Sequence, residues 1–287
     1  LQRPWRCCPA LPVNSRRPRL RGVSAAAGGG RQRARRAWSP WLDRGRFVVG
    51  MNGTPPPRLR PLGPGFDPET VPLEAPTGDS GAQVAGEQLQ ASALRARFAA
   101  PPSWVPEVRA DQRRIETTIE TRPAAVLVPL VQRQAGLTVL LTRRTSHLHD
   151  HAGQISFPGG RVDRGDRDVI HTALREAAEE TGLPATHVEV LGLMPQYLTV
   201  TGYAVTSVVS LVRPGFTLAL DAFEVEEAFE VPLAFLMDPR NHERRGIEAA
   251  GARRSFYAMP YAADGRRSFI WGATAAMIRN LYRFLAA

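Results

Sequence analysis

Three glutamates fall within five positions of the stretch REAAEETGL, residues 175 to 183, near the end of a segment that reads as a helix. That helix is expected from about Asp168 to Thr181, with Gly182 as its stop and Pro184 beyond. Glu176, Glu179 and Glu180 stand at i, i+3 and i+4, so all three project from one face. Like charges at such spacings destabilise a helix, and acids near its C-terminus meet the negative end of the macrodipole. Arg175, four residues before Glu179, is expected to relieve one charge only. A divalent cation would relieve all three. Mg2+ and Mn2+ prefer carboxylate oxygens, and Mg2+ commonly bridges protein carboxylates to substrate phosphates. A solvated acidic face is the plain alternative, because Ala173, Leu174, Ala177 and Ala178 supply a buried stripe that would hold the helix anyway.

The sequence around this helix is rich in strands. From Ala124 the runs AAVLVPLV and LTVLLTRR, separated by QRQAG, read as a hairpin-like pair, and QISF as a short strand before a break at Pro158-Gly159-Gly160. HVEVLGLM, YAVTSVVSLV and EEAFEVP read as further strands, with PLAFLMD as a helical turn. RRSFYAMPY and RSFIW suggest a late hairpin turning around Ala262, Asp264 and Gly265, and GATAAMIRNLYRFLAA closes the chain as an amphipathic helix. Separated helices among mixed strands imply an α+β or α/β sandwich over residues 122–287 rather than a βαβ repeat series. Residues 51–121 form a Pro-rich region of a different texture, with one short amphipathic helix at EQLQASALRARF, ended by APPSWVP.

Charge bears on the choice of partner. The chain carries a net charge of +10, but residues 1–50 hold twelve arginines against one acid, Asp43. The remainder carries 25 arginines against 26 carboxylates, so the expected folded part is close to neutral. A nucleic-acid argument would rest on the first fifty residues alone. Those are rich in Arg, Pro, Gly and Ala without sustained apolar periodicity, the composition of a disordered tail. The first methionine, Met51, follows this segment directly, which admits the reading that the tail is not translated; a basic arm for nucleic acid or membrane, or an arginine-rich targeting peptide, is the alternative. Both cysteines, Cys7 and Cys8, lie in it, which leaves none for a zinc site or thiol nucleophile. With no apolar run of transmembrane length, the expectation is a cytoplasmic protein, monomer or homodimer, with no nucleic-acid or membrane partner.

The longer stretch FPGGRVDRGDRDVIHTALREAAEETGL resembles the signature of the Nudix hydrolases: a Gly-led loop, a helix, then Arg-Glu-U-x-Glu-Glu-x-Gly-U, where U is aliphatic. Arg175, Glu176, Ala177, Glu179, Glu180, Gly182 and Leu183 match that second half throughout. The resemblance implies the Nudix fold, a mixed sheet flanked by helices. It also implies hydrolysis of a nucleoside diphosphate linked to another group, with Mg2+ or Mn2+ as cofactor. One departure stands out. The family pattern has Glu six residues after the Gly and seven spacers before Arg. Here the sixth residue from Gly160 is Asp166, and eight residues precede Arg175, which puts a role for that early acid in question.

Upstream, LLTRRTSHLHDHAGQISFPGG, residues 140 to 160, is similar to the additional signature of coenzyme A pyrophosphatases. Leu140, Leu141, Thr142, Arg144, Gly153, Phe157, Pro158, Gly159 and Gly160 match it; Thr145 replaces Ser or Ala, and His149 stands where Arg is usual. VTGYAVT and FEVPLAFLMD also resemble this subfamily. Arginine suits a ligand with a diphosphate and a separate 3′-phosphate, because its planar fork keeps its charge and pairs with phosphate oxygens. We therefore expect Arg144, His149, Gly159 and Gly160 to bind substrate, and Arg143 to be an ordinary strand-end charge. His147, His149 and His151 alternate, but surface or phosphate-contacting roles fit them better than a metal site. Glu176, Glu179 and Glu180 are the expected metal ligands. Glu179, Arg175 and Glu224 are the expected catalytic set, with Glu179 and Glu224 as alternative bases and Phe223 replacing the Asp of the subfamily's Asp-Glu-Val. The products would be 3′,5′-ADP and 4′-phosphopantetheine.

Two other readings stay open at this point. ADP-ribose or another nucleoside diphosphate derivative could be the substrate, since one fold hosts many functions. A non-catalytic Nudix-fold sensor is the reading from a different class, and the intact Glu176, Glu179 and Glu180 argue against it.

Overall fold

The computed structural model describes residues 66–75, 81–111, 121–146, 153–249 and 252–287. The expectations for the first fifty residues and for His147, His149 and His151 lie outside the described residues. In chain order the elements begin with α1 (Ala91–Ala99), β1 (Arg122–Arg133), β2 (Gly136–Arg144), β3 (Ile155–Ser156), β4 (Gly159–Arg161) and α2 (Val169–Thr181). They continue with β5 (Val188–Leu193), β6 (Tyr197–Leu198), β7 (Tyr203–Val212), β8 (Val225–Pro232) and α3 (Leu233–Leu236). The chain ends in β9 (Glu243–Ala249), β10 (Ala252–Ala263), β11 (Arg266–Trp271) and α4 (Gly272–Ala286).

β1 and β2 form the expected antiparallel hairpin, with Arg133 opposite Gly136. β1 also runs parallel to β7 from the Arg122–Tyr203 pair to the Val131–Val212 pair. Parallel neighbours need a crossover between them, and α2 lies in that connection. β5 and β6 pair antiparallel with β7, and β8 pairs antiparallel with β2. β1 and β2 diverge where they lead toward the site. There the first half of β1 takes β4 as its partner, and the end of β2 takes β3. The sequence suggested a break at Pro158–Gly160; the chain instead resumes as β4 at Gly159, because the parting of β1 and β2 leaves backbone groups of β1 to be paired.

The near-continuous burial of β1 follows from cover on both sheet faces. On one face Ala173 and Ala177 of α2, with Leu183, pack on Ala125, Leu127 and Val131 of β1, Leu140 of β2 and Val208 and Val212 of β7. On the other, Leu94 and Phe98 of α1 join Val128, Leu130, Val139, Leu141, Val209 and Leu211 of the sheet with Ile278, Leu281 and Leu285 of α4. This is the expected α+β sandwich. The second sheet has order β11-β10-β9, and β10 turns into β11 through Asp264 and Gly265, at φ 52° and 74°. Consecutive left-handed residues suit a two-residue hairpin.

The region set apart in the sequence as residues 51–121 joins that framework where it is described. Leu73 bridges Arg245 in antiparallel fashion and the Glu74 N–H donates to the Arg244 carbonyl at 2.8 Å, so residues 72–74 cover the edge of β9. Ala110 bridges Leu198 in parallel fashion. Among the described residues no helix is long and apolar enough to cross a membrane.

Candidate active site

The helix that carries the glutamates is held at both ends. The Asp168 carboxylate accepts the His171 N–H at 2.8 Å as N-cap, and Gly182 ends the helix in the left-handed conformation, at φ 69°. A Cβ at Gly182 would stand 2.8 Å from the Ala219 nitrogen, so glycine also admits a returning loop. That loop closes over the helix end, with Ala219 N–H donating to Thr181 O at 2.9 Å and Asp221 N–H to Glu180 O at 3.0 Å. Two otherwise orphaned carbonyls are thereby satisfied, and Glu224 is delivered beside the glutamate face.

The expected buried stripe needs one correction. Ala173 and Ala177 are buried, but Ala178 is exposed and Glu180 is only 6% exposed. At about 100° per residue, Glu180 falls near the direction of Ala173 and Ala177, whereas Ala178 points away. One glutamate of the three therefore lies on the core side. Its Oε2 accepts the Gly159 N–H at 3.2 Å, and its Oε1 lies 4.0 Å from Arg144 Nη1. Burial pushes its pKa up to about 8; the nearby Glu224 and Glu176 add to this, while Gly159 and Arg144 offset part of it. Burial also raises the pKa of Glu176, against the pull of Arg175. The Glu176 carboxylate fills the space a side chain at Gly160 would need, since a Cβ there would stand 2.5 Å from its Cδ. Gly159, at φ 155°, is required by the backbone itself: a Cβ would stand 2.4 Å from the Ala125 carbonyl oxygen.

Glu179 is placed apart from this pair. It is mostly exposed, and its Oε2 accepts from Arg175 Nη1 at 2.9 Å. The expectation that Arg175 relieves one charge is corrected by the geometry. Arg175 Nε and Nη2 donate to the two oxygens of Asp166 at 3.0 and 2.9 Å, and its Nη1 lies 3.0 Å from Glu176 Oε1 as well as against Glu179. A single planar fork thus serves three carboxylates at hydrogen-bonding distance, with a fourth, Asp163, at 3.8 Å. Asp166, whose role the motif count had put in question, is the anchor of this arrangement. Its side chain is 1% exposed and also accepts from Asp163 N–H at 2.9 Å, Thr172 Oγ1 at 2.9 Å and His171 Nδ1 at 3.0 Å. The Arg175 hydrogen bonds, with that of Asp163, hold its carboxyl far below the ordinary range. Its position, where the family pattern has Glu, was the signal that could have identified it.

The two neighbouring arginines part company at the end of β2, where the pairing with β8 is bulged between them. Arg143 reaches Glu227 at 3.4 Å and Ser268 Oγ at 3.3 Å, as befits a structural charge. Arg144 faces Glu180. Its backbone is held at both groups, N–H to Gln154 O at 3.0 Å and O from Gly153 N–H at 3.1 Å.

The family pattern described as NUDIX domain matches residues 121–247. Over 165 residues the chain is 43% identical to the "Uncharacterized Nudix hydrolase NudL" of Escherichia coli O7:K1, covering 57% of this chain and 83% of that relative. The chain belongs to the Nudix hydrolase family. The protein of the same name from Shigella boydii serotype 18 shows the same identity and coverage. Among solved structures, the Nudix hydrolase RenU of M. smegmatis is 24% identical, with a TM-score of 0.35 over 39% of this chain and 71% of that one. The NUDIX domain of Shewanella oneidensis NrtR, in complex with ADP ribose, is 21% identical, with a TM-score of 0.33 over 43% and 80%.

Nudix hydrolases generally use divalent metal ions such as Mg2+ or Mn2+. Among the described residues no group of three or more His, Cys, Asp or Glu side chains is placed to hold a metal ion. The donor set does fit a hard cation held by one or two carboxylates and completed by substrate oxygens, the usual mode for Mg2+. Glu176 and Glu180 are desolvated, mutually repelling oxygen donors on adjacent turns of α2, with Glu224 adding to the repulsion. A divalent charge there inverts the balance that raises their pKa values.

Proposed function

We propose that this Nudix hydrolase, which acts on pyrophosphate bonds, takes coenzyme A and its derivatives as substrate and releases 3′,5′-ADP and 4′-phosphopantetheine. The observation that carries the reading is the placement of Arg144. It belongs to the stretch similar to coenzyme A pyrophosphatases, and among the described residues its guanidinium makes one long contact, 4.0 Å to Glu180, at the edge of the glutamate face. There it can donate to an oxygen of the diphosphate or of the 3′-phosphate.

Glu176 and Glu180 would hold Mg2+ or Mn2+, which neutralises diphosphate charge and lowers the pKa of a water. Arg175, steadied by Asp166, orients Glu176, and the Gly159 N–H orients Glu180. Water attacks one phosphorus, the P–O–P bond breaks, and the bridging oxygen leaves with the other phosphate. Glu224 is the favoured acceptor of the water's proton, because its charge acts on both Glu176 and Glu180. Glu179 remains the alternative base; its exposed carboxylate is engaged by Arg175. His149, on the same stretch as Arg144, would add a phosphate contact.

A turnover screen of coenzyme A, dephospho-coenzyme A, ADP-ribose and NADH with Mg2+ and Mn2+ tests the proposal, with products identified by mass. Coenzyme A should give the highest kcat/KM. Arg144→Ala should lower that value by about 1.5–3 kcal/mol, the size of a charged hydrogen bond. Far better turnover of ADP-ribose would sink the coenzyme A assignment and leave a diphosphatase of another nucleotide.

A further inference from the structure

The proposed metal face contains a positive charge of its own. Glu180 Oε1 has Arg144 Nη1 at 4.0 Å, while Glu180 Oε2 is engaged by the Gly159 N–H. Three carboxylates, Glu176, Glu180 and Glu224, act on one another here, and Arg175 is already divided among Asp166, Glu176 and Glu179. The Arg144 backbone is fixed on both sides, by Gln154 and Gly153, but its side chain is about a third exposed and, among the described residues, ends at this single long contact. A long flexible arm on a fixed base can turn from Glu180 to another anion without moving the strand.

We infer that Arg144 couples metal binding to substrate binding by competing with the cation for Glu180. A divalent ion on Glu180 weakens the attraction between that carboxylate and the guanidinium, which is then available to a phosphate. A phosphate that draws Arg144 away leaves Glu180 more attractive to the ion. The coupling is reciprocal, as any linkage between two binding equilibria must be. It rests on the proposed function in taking Glu180 as a metal ligand and Arg144 as a phosphate ligand, and adds that the two roles are antagonistic at one carboxylate. Arg144 would thus set the order of binding as well as grip the substrate.

The test uses the full chain, Mn2+ read by electron paramagnetic resonance, and α,β-methylene-ADP, a nucleoside diphosphate whose bridging carbon resists hydrolysis. Each ligand is titrated alone and in the presence of the other, for the wild type, Arg144→Gln and Arg144→Lys. Removing a unit charge about 4 Å from a metal-binding carboxylate should tighten Mn2+ binding without nucleotide by roughly threefold or more. Arg144→Gln should also shrink the factor by which Mn2+ strengthens nucleotide binding, by roughly threefold or more. Arg144→Lys, which keeps the charge, should stay near the wild type in metal affinity. If Arg144→Gln binds Mn2+ no more tightly than the wild type, the competition does not exist, even where its turnover falls as the proposed function requires. If the coupling factor is unchanged in Arg144→Gln, Arg144 grips substrate independently of the metal. If the wild type itself binds no Mn2+, the inference and the metal assignment beneath it fall together.

Discussion

Glu107 and Glu180 are both carboxylates drawn out of water, on opposite faces of the central sheet, and their surroundings treat them in contrary ways. Burial raises the pKa of Glu107, but Tyr257, Arg279 and Arg283 outweigh it and hold the carboxyl below its ordinary value. Tyr257 OH donates to Glu107 Oε1, while Arg279 Nε lies 2.9 Å and Arg283 Nε 3.4 Å from Oε2. Arg279 is itself buried, stacks over Tyr257 and Tyr282, and donates to His242 Nδ1 at 3.1 Å. Among the described residues Glu180 has one backbone donor and one distant guanidinium, and two more carboxylates nearby. The contrast teaches how to tell two uses of buried charge apart. A satisfied network fastens residues 107–108 to α4, whereas an under-neutralised one is a place where a cation gains energy by arriving.

The largest expected effect breaks the satisfied side. Arg279→Ala leaves Glu107 partly desolvated and His242 without its donor, and loss of one partner of a buried pair costs about 3–5 kcal/mol. Calorimetry should show a Tm lower by roughly 6 °C or more for a fold of this size. A change within roughly 2 °C would mean the network carries little of the stability.

A pH series sharpens the same comparison. His242 donates from Nε2 to Leu236 O at 2.8 Å, and burial pushes its pKa down to about 4 from the usual 6.5. The unfolded chain therefore takes up that proton first, so this group's stabilisation is present above 6.5 and lost as pH falls toward 4. Glu180, with its pKa raised from 4.5 to about 8, does the reverse. Its contribution is fully present below 4.5 and is lost as pH rises through 8 when no metal is added. Tm measured against pH should accordingly fall at both ends. His242→Asn should flatten the acid arm and leave the alkaline arm, and identical curves for variant and wild type would refute the assignment.

The smallest effect concerns an arginine that belongs to neither cluster. Arg143 and Glu227 are each about a quarter exposed and 3.4 Å apart, and Arg266 also reaches Glu227. Arg143→Ala should cost less than about 1 kcal/mol in urea denaturation. Its turnover should stay within about twofold of wild type, in contrast to Arg144→Ala. A large loss of turnover would move the phosphate contact from Arg144 to Arg143.

How far the sequence could be read follows from how local each cause is. α2 was legible because its stop, Gly182, and its acid spacing lie within the helix and its cap. The β1–β2 and β10–β11 hairpins were legible because their turns are short. Asp166 was legible only through its place in the family pattern, because its worth depends on a loop that folds it under Arg175 nine residues later. The core-side position of Glu180 was missed for a related reason: the alanines looked sufficient to cover the sheet, and only the packed helix shows that Ala178 faces away. The Glu107–His242–Tyr257–Arg279 network joins four distant parts of the chain, and none of these residues is unusual in its own neighbourhood. β9 and the segment at 72–74 that covers its edge escaped for the same reason, since strand pairing between remote, polar stretches leaves little periodic trace.

The most direct test of the central claim is the melting temperature of Glu180→Gln at pH 8.5, with and without saturating Mn2+. Without metal, the variant should melt at or above the wild type, because an amide relieves the repulsion that a buried carboxylate suffers there. With metal, the wild type should rise by the amount that binding to the native state alone confers, on the order of 2–3 kcal/mol at a hundredfold excess over Kd, and the variant should gain little. A variant that melts well below the wild type without metal, yet gains as much from Mn2+, would contradict the account.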